Sequence, residues 1–192
     1  QDYILAGDCY QVNYAQRFEA TLEGDAWSAY RYVRTLLAGG FSGFLRTAED
    51  HAILSLSPER FLRIHQGTVT SQPIKGTAPR HSDPEQDATL AQALLNSEKD
   101  RAENVMITDL LRNDLGQFCE TGSMTVTELC GLHSFNNVHH LISTVQGKLA
   151  PGVSAGQMLL ATSPGGSITG APKKRAVEII AELESTPRGA YC

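Results

Sequence analysis

The chain has 192 residues, of which 41% are hydrophobic, 19% are charged and 7% are aromatic, and its formal net charge is −5. This apolar fraction is too high for a disordered chain, so the composition predicts a packed globular domain. The acidic balance argues against a nucleic-acid-binding protein and against an anionic-membrane binder, because both need a basic surface. The sequence also contains no apolar run near the roughly 18 residues that a membrane span requires. A small anionic substrate is compatible with this composition, since a site can be locally positive within an acidic protein.

The four cysteines are scattered along the chain without a Cys-x-x-Cys pair, and the six histidines form no His-Glu-x-x-His motif. This spacing argues against a zinc site and against a dense disulfide scaffold. It indicates free thiols in a reducing compartment, and we therefore expect a cytoplasmic protein. The chain lacks a starting Met and a secretory signal, and it stops abruptly at Cys192, so we expect a fragment of a longer protein.

The first half of the chain is predicted to be rich in strands, with one early helix. β-branched and aromatic residues in partial alternation predict a strand over 8–22. A helix is predicted over 27–37, because apolar residues recur there every three or four positions, and Gly39 is expected to end it. Further strands are predicted over 41–46, 53–56, 60–64 and 68–71, with a tight turn at 65–67. The Pro-rich stretch 73–84 is interpreted as a loop.

The second half combines longer helices with two strands. Helices are predicted over 85–96 and 98–115, with Ser97 as the N-cap of the second and Gly116 as its stop. The remaining predicted elements are strands over 124–129 and 138–145, a short helix over 157–161, a Gly/Ser/Thr loop over 163–170 and a helix over 172–184. Because strands occur in runs and helices in clusters, the pattern favours the α+β class.

Two charged side chains at predicted turns are candidates for chemistry. Lys75 precedes Gly76 in a turn, and a desolvated lysine can act as a nucleophile or a base. A solvated loop lysine beside Arg80 is the alternative. Glu59 lies at a strand boundary, where a half-buried carboxylate can act as a general acid or base. For this residue the alternative is a salt bridge to Arg60 or Arg63.

One face of the predicted helix 98–115 carries carboxylates next to apolar residues. This face consists of Glu103, Ile107, Leu110 and Asp114. Glu103 therefore lies at the edge of the buried stripe, where an unpaired carboxylate is costly and Mg²⁺ or a basic partner would offset that cost. One carboxylate alone does not form a metal site, and a solvated helix end is the alternative.

The stretch 163–173 is a Gly-rich turn that leads into a helix, and such a turn can present backbone N–H groups to an anion. It is not a Walker loop, because Ala171 stands where the lysine should be. It is not a nucleophile elbow either, because Thr169 occupies the position of the second glycine after Ser167. A carboxylate therefore fits this turn better than a phosphate, and an ordinary loop with an N-cap is the alternative.

Two adjacent histidines, His139 and His140, lie on a predicted strand. Because successive side chains of a strand point to opposite faces, at most one of the two rings can belong to any given site. For each ring taken singly, a structural role is the alternative to a functional one.

Six motifs, taken in order, resemble those of the chorismate-binding enzymes. They are G-D-C-Y-Q-V at 7–12, S-P-E-R-F at 57–61, P-I-K-G-T at 73–77, A-E-N through L-R-N-D at 102–114, V-H-H-L at 138–141 and G-S-I-T-G-A-P-K at 166–173. The resemblance extends over essentially the whole chain. It implies a fragment of the anthranilate-synthase-like fold, a two-sheet α/β sandwich with helices packed outside. Residues 1–192 would then be a partial catalytic domain, without the N-terminal half of the protein and the C-terminal end of the domain.

Two positions discriminate among the members that this family contains. The members that form anthranilate have Ala in P-I-A-G-T, whereas Lys75 resembles those that aminate chorismate to 4-amino-4-deoxychorismate. The members that form isochorismate or salicylate carry a lysine base near position 11, where this chain has Gln11. The resemblance therefore implies chorismate and ammonia as substrates, a glutamine amidotransferase subunit as the ammonia source, and a role in p-aminobenzoate and folate synthesis.

The resemblance also implies roles for individual residues. Lys75 would attack C2 of chorismate as the C4 hydroxyl leaves, and Glu59 would be the general acid and base. Mg²⁺ would hold the ring carboxylate, with Glu103 as a ligand and Asp100 as an outer partner. His140 is assigned to the catalytic group. The residues assigned to substrate binding are Thr77, Gly165, Gly166, Ser167, Gly170 and Tyr191.

Some motifs of the family are not found in this chain. The second Mg²⁺ glutamate, a substrate-binding Arg-Thr strand and a final Gly-rich loop are expected beyond residue 192, so we expect no turnover by the 192-residue chain alone. Two alternatives stay open at this point. One is anthranilate or isochorismate chemistry with Lys75 in another role, and the other is an enzyme-derived chain that binds a partner, such as a glutaminase, without catalysis.

Overall fold

A computed structural model describes residues 1–37 and 40–191, the last of them by its backbone alone. The strands are β1 (Gln11–Val12), β2 (Phe41–Arg46), β3 (Ala52–Ser57), β4 (Arg60–His65), β5 (Thr68–Gln72), β6 (Ile74–Pro79), β7 (Thr125–Ser134), β8 (Val138–Lys148) and β9 (Gly170–Ala171). The α-helices are α1 (Asp2–Leu5), α2 (Ala26–Leu36), α3 (Pro84–Leu95), α4 (Glu98–Gly116), α5 (Ala155–Thr162), α6 (Gly166–Thr169) and α7 (Lys173–Leu183). A 3-10 turn follows at Gly189–Tyr191.

The main sheet is built around β8, which pairs antiparallel with three other strands. Along one edge of β8, β5 and β6 follow each other and are separated only by Pro73, whose carbonyl accepts a hydrogen bond from the Ser143 amide at 3.1 Å. Strand β7 covers the other edge, and β4 extends the sheet beyond β5. The proline therefore lies at the junction of two strands, where it removes no ladder donor.

Helix α4 packs against this sheet and supplies much of the core. Its buried apolar side chains are Ile107, Leu111 and Leu115, so the buried face shares Ile107 with the predicted one and is otherwise shifted around the helix by about one position. Leu115 belongs to a buried cluster with Val69, Cys119, Val145 and Met158, which come from the sheet, the segment after α4 and helix α5. Burial of these apolar groups fixes the distance between helix and sheet.

A fully buried amide sets the rotation of α4. Asn104 donates from Nδ2 to the Leu141 carbonyl of β8 at 3.0 Å, and its Oδ1 accepts from the Ser143 hydroxyl and, at 3.3 Å, from the Thr108 hydroxyl. These bonds tie the helix to the centre of β8, so the neighbouring side chain of Glu103 has a fixed direction.

Most of the predicted elements are confirmed, and the mixed α+β class with helices packed on the sheet is confirmed as well. Of the two sheets expected, the described residues form one five-stranded sheet and two separate strand pairs, β1 with β9 and β2 with β3. Ser97 is the N-cap of α4, since its hydroxyl accepts from the Asp100 amide. The turn after β4 contains Gln66 and Gly67 at positive φ. The predicted helix stop at Gly39 and the fourth cysteine, Cys192, lie outside the described residues.

Three predicted elements were wrong. The strand over 8–22 is reduced to Gln11–Val12, because its partner β9 has only two residues and the following backbone amides bond to the Thr169 carbonyl of α6 and to the Glu184 side chain instead. The loop over 163–170 contains the short helix α6. The loop over 73–84 contains strand β6, which pairs with β8 from Ile74 to Pro79. Prolines suggested a loop there, but they occupy only the two ends of the strand.

The cysteine spacing predicts free thiols. Among the described residues, Cys9, Cys119 and Cys130 are free and buried. Among the described helices, none is long and apolar enough to span a membrane.

We predict that Asn104→Ala lowers the free energy of unfolding by about 2–3 kcal/mol, because it leaves the Leu141 carbonyl and the Ser143 hydroxyl without their buried partner. The matched control is Asn96→Ala, which changes an exposed asparagine at the end of α3. Urea unfolding measures both variants. Equal losses in the two variants would contradict the anchoring role of the buried amide.

Candidate active site

Four separate elements bring polar side chains to one place beside β6. Lys75 comes from β6, Glu103 from α4, Gln11 from β1 and Ser167 from the short helix α6. Three sequence-predicted site residues (Lys75, Glu103 and Ser167) thus meet within hydrogen-bond or ion-pair reach. They come from motifs that lie up to 92 residues apart in the sequence.

An irregular part of β6 holds Lys75. The register of β6 on β8 shifts between Ile74 and Thr77, and Gly76 has φ +85°. A Cβ at Gly76 would lie 2.9 Å from Cβ of Asp100, so only glycine allows this close approach to α4. The glycine after the lysine is therefore needed for both conformation and packing.

The Lys75 amine is largely buried between an acceptor and an anion. Its side chain is 14% exposed, and Nζ donates to the Ser167 carbonyl at 3.1 Å. Glu103 Oε1 lies 3.5 Å from the same nitrogen. The solvated loop lysine that the sequence left open is excluded by this burial.

Glu103 is held by partners on two sides. Besides the ion pair with Lys75, its Oε1 accepts a hydrogen bond from Gln11 Nε2 at 2.8 Å. The Glu103 side chain is 27% exposed, so it is neither a solvated helix end nor fully enclosed. A basic partner was expected to offset the cost of burying Glu103, and in this structure that partner is Lys75.

Glu59 lies in the short link between β3 and β4, next to the Lys75 cluster. Burial raises the pKa of the Glu59 carboxyl above its ordinary value of 4.5, while the Ser167 hydroxyl, the Ile74 amide and Lys75 act in the opposite direction. The raised pKa favours the protonated acid. The alternative, a salt bridge to Arg60 or Arg63, is not found among the described ion pairs, and Arg60 donates instead to the Gln72 side chain at 2.8 Å.

The Gly-rich segment around Ser167 is closely packed. A Cβ at Gly166 would lie 2.5 Å from a Leu110 methyl group, and one at Gly170, where φ is +145°, would lie 2.0 Å from the Gln11 carbonyl. At Gly165 the distance to the Phe61 ring would be 3.1 Å. Glycine is therefore required by close packing, and the predicted carboxylate site at the backbone amides stays a prediction.

The remaining predicted residues lie around this cluster without touching Lys75 in the described contacts. The carboxylate of Asp100 accepts from the Ser97 hydroxyl at 2.5 Å, at the first turn of α4. Thr77 Oγ1 and His140 Nδ1 are 3.0 Å apart, and burial lowers the pKa of His140. The side chain of Tyr191 lies outside the described part of the chain.

The adjacent histidines do face opposite sides. His139 is buried, and its two ring nitrogens lie 3.0 Å from Asp87 Oδ1 and 2.7 Å from the Ser134 hydroxyl. His140 instead lines a cavity of about 410 Å³ together with apolar residues such as Ile74 and Phe135. His139 therefore has a structural role, and His140 is the ring that is open to a ligand.

The described residues contain no group of three His, Cys, Asp or Glu side chains that could hold a metal ion. Glu103 is the carboxylate that pairs with Lys75, and its described contacts with Lys75 and Gln11 use only Oε1. Mg²⁺ needs several oxygen ligands, so the described residues could supply only part of its coordination shell.

Two residues of the site, Asn13 and Arg188, were not predicted from the sequence. Asn13 Nδ2 donates to the Ser167 carbonyl at 3.0 Å, and the period of two between Gln11 and Asn13 could have indicated a shared face. Arg188 donates to the Ile168 and Asn13 carbonyls, both at 2.6 Å. Nothing in the sequence around Arg188 indicates these bonds, because their acceptors are backbone atoms.

The family model described as chorismate binding enzyme matches residues 1–192. The chain belongs to the chorismate-binding enzyme family. It is 55% identical over 192 residues to aminodeoxychorismate synthase component 1 of Klebsiella aerogenes and 52% identical to that of Escherichia coli strain K12. Anthranilate synthase component 1 of Bacillus subtilis is 39% identical over 191 residues. The matched regions span 42%, 42% and 37% of these relatives and essentially all of this chain.

The fold is that of a solved member of the same family. The structure of anthranilate synthase component I from Streptococcus pneumoniae superposes with a TM-score of 0.88 at 39% identity. The match covers 99% of this chain and 41% of that protein. The expected anthranilate-synthase-like fold is therefore confirmed, and the chain corresponds to less than half of such a protein.

We predict that Glu59→Gln raises thermal stability at pH 7–8 and that this gain disappears as the pH falls towards 4.5. The raised pKa means that ionising Glu59 costs free energy in the folded state, and this cost is absent below the ordinary pKa, where both states are protonated. Melting temperatures of the two proteins across this pH range measure the effect. A gain that is constant with pH would show that the carboxyl is not perturbed by burial.

Proposed function

We propose that the protein is an aminodeoxychorismate synthase component 1 and converts chorismate and ammonia to 4-amino-4-deoxychorismate through a covalent intermediate on Lys75. The observation that carries this proposal is the buried amine of Lys75, held by the Ser167 carbonyl and Glu103 and placed near a carboxyl that favours its acid form. The high identity to proteins of that name over the whole chain supports it.

The first chemical step assigned to Lys75 is attack on C2 of chorismate. The amine must first lose a proton to solvent. Its electron pair then forms the C2–N bond, both double bonds of the ring shift by one position and the C4–O bond breaks. A lysine held by two fixed partners loses little freedom when it attacks, which lowers the entropic part of the barrier. The nearby Ser167 carbonyl orients the amine through its hydrogen bond.

Glu59 is assigned the proton transfers of the reaction. Burial raises its pKa, which makes the carboxyl a better proton carrier than an exposed glutamate, and in its acid form it would donate a proton to the departing C4 hydroxyl, which leaves as water. The resulting carboxylate can then accept a proton from ammonia as ammonia adds at C4 and the C2–N bond to Lys75 breaks. The same group thus acts as acid in one step and as base in the next.

Glu103 is proposed as the residue of this chain that binds Mg²⁺, with further ligands supplied by residues outside the matched region. When bound, the ion would neutralise a carboxylate of chorismate. Asp100 is a weaker candidate, since its carboxylate already accepts from Ser97 at the start of α4. Ammonia from a glutamine amidotransferase subunit and a role in p-aminobenzoate and folate synthesis belong to the same proposal.

We predict that Lys75→Ala abolishes the covalent adduct in the full-length protein. Wild-type protein quenched with chorismate should gain the mass of chorismate less one water on the peptide that contains Lys75. The control is Lys148→Ala, because Lys148 is 66% exposed and pairs with Glu120 away from the site. Intact and peptide mass spectrometry measure the adduct, and chromatography identifies the product.

An adduct on the Lys75→Ala protein would overturn the assignment of the nucleophile. Anthranilate or isochorismate as the product of the wild-type protein would overturn the proposed reaction and favour the chemistry of other family members.

We predict that Glu103→Gln raises the Mg²⁺ concentration for half-maximal activity by about tenfold or more, since the carboxamide is a poor ligand for a hard cation. Asp100→Asn, three residues earlier on the same helix, should change it by less than about threefold, because its oxygen can still accept from Ser97. Initial rates at saturating chorismate over a Mg²⁺ series measure both. Equal effects of the two substitutions would contradict a direct role for Glu103.

A further inference from the structure

The segment that follows α7 contains a buried ion pair that the proposed reaction does not use. Glu184 and Arg188 have side chains that are only 6% and 8% exposed. The guanidinium donates from Nε to Glu184 Oε2 at 2.8 Å and from Nη2 to Oε1 at 2.5 Å. These bonds lower the pKa of Glu184 to about 2, so the pair is charged at neutral pH. Burial of two charges brings little net stability, because desolvation offsets their attraction.

The other donors of Arg188 reach two backbone carbonyls from distant parts of the chain. Nη1 donates to the Ile168 carbonyl and Nη2 to the Asn13 carbonyl, both at 2.6 Å. Oε1 of Glu184 also accepts from the Ala15 amide at 2.8 Å. The ion pair therefore joins the chain after β1 to helix α6, two segments that otherwise share the short β1–β9 ladder and a few local hydrogen bonds.

Each of the two segments that Arg188 joins carries a group that helps to position Lys75. Ser167, directly before Ile168, presents its carbonyl to Lys75 Nζ at 3.1 Å. Asn13 donates from its side chain to the same carbonyl at 3.0 Å. One bond of Arg188 thus fixes the peptide next to the Ser167 carbonyl, and the other fixes the residue that holds this carbonyl from the opposite side.

We propose that Arg188, backed by Glu184, is a positioning residue that sets the direction of the Lys75 amine through the Ser167 carbonyl. Its catalytic consequence rests on the proposed function, whereas its effect on the lysine itself does not. The planar fork of arginine is essential to this role, because one lysine ammonium cannot reach the carboxylate and both carbonyls in the same geometry.

The test compares Arg188→Lys with Arg80→Lys in the full-length protein. Arg80 is a matched control, since it also forms a fork to a carboxylate (Asp87) and donates to a carbonyl, that of Phe135 at 2.6 Å. None of these partners touches Lys75 among the described contacts. Both substitutions keep the positive charge and remove the fork, so a general loss of stability is common to the two.

The first measurement needs no substrate. The proteins are labelled with an amine-reactive acylating reagent, and peptide mass spectrometry follows Lys75 with exposed Lys148 as the internal reference. We expect Lys75 to react about threefold faster or more in Arg188→Lys, because its carbonyl acceptor is no longer fixed, and at the wild-type rate in Arg80→Lys. Equal rates of Lys75 labelling in Arg188→Lys and the wild type would overturn the proposal, as would equal acceleration by Arg80→Lys.

The second measurement is steady-state kinetics with chorismate and ammonia. We expect Arg188→Lys to lower kcat by about tenfold or more while KM changes by less than about threefold, because the reacting amine is misdirected and substrate binding is kept. Arg80→Lys should leave both constants near the wild-type values. A wild-type protein that forms no aminodeoxychorismate, combined with the expected labelling result, would overturn the proposed function but leave the positioning role standing.

Glu184→Gln provides a second variant in case Arg188→Lys fails to fold, as judged by circular dichroism. It keeps Arg188 and its carbonyl bonds but removes the charge that holds the guanidinium in place. We expect faster Lys75 labelling here too, by a smaller factor than for Arg188→Lys. An unchanged labelling rate in folded Glu184→Gln would overturn the proposal.

Discussion

Strand β8 fixes the relative positions of the elements that carry the candidate site. It pairs with β5 and β6 along one edge and with β7 along the other, and it receives the buried Asn104 amide of α4 at the Leu141 carbonyl. Because one strand sets the positions of three others and of the longest helix, the distance between β6 and α4 is fixed. That distance decides whether Lys75 and Glu103, one from each element, can form an ion pair.

Local signals in the sequence predicted most helices and strands well, because caps and periodic apolar residues act over a few positions. Ser97 illustrates this, since its hydroxyl caps α4 as expected. Elements that depend on distant partners were predicted poorly. Residues 8–22 have strand-like composition but only two residues of partner strand, whereas 73–84 contains prolines and still pairs, because β8 offers its edge to it. Composition cannot report whether a partner strand is available.

In the candidate site, too, the residues with a local signal were predicted and those with only long-range partners were not. Lys75, Glu59 and Glu103 could be selected from the sequence because each is a charged group in an unusual local setting, and the structure brings them close together. Asn13 and Arg188 were missed, since the bonds by which they support the Ser167 segment run to backbone carbonyls, which every residue has. Such bonds depend on tertiary structure alone, and a single sequence carries no pattern for them.

Polar groups near Lys75 are arranged at a cost to stability. Among the described residues, Gln11 Oε1 is a buried side-chain atom without a hydrogen-bond partner, and it belongs to the cluster around Lys75. Burial also raises the pKa of nearby Glu59, which means that its ionised form is disfavoured there. Protein interiors satisfy nearly all buried polar groups, so such a concentration in one place indicates selection for something other than folding.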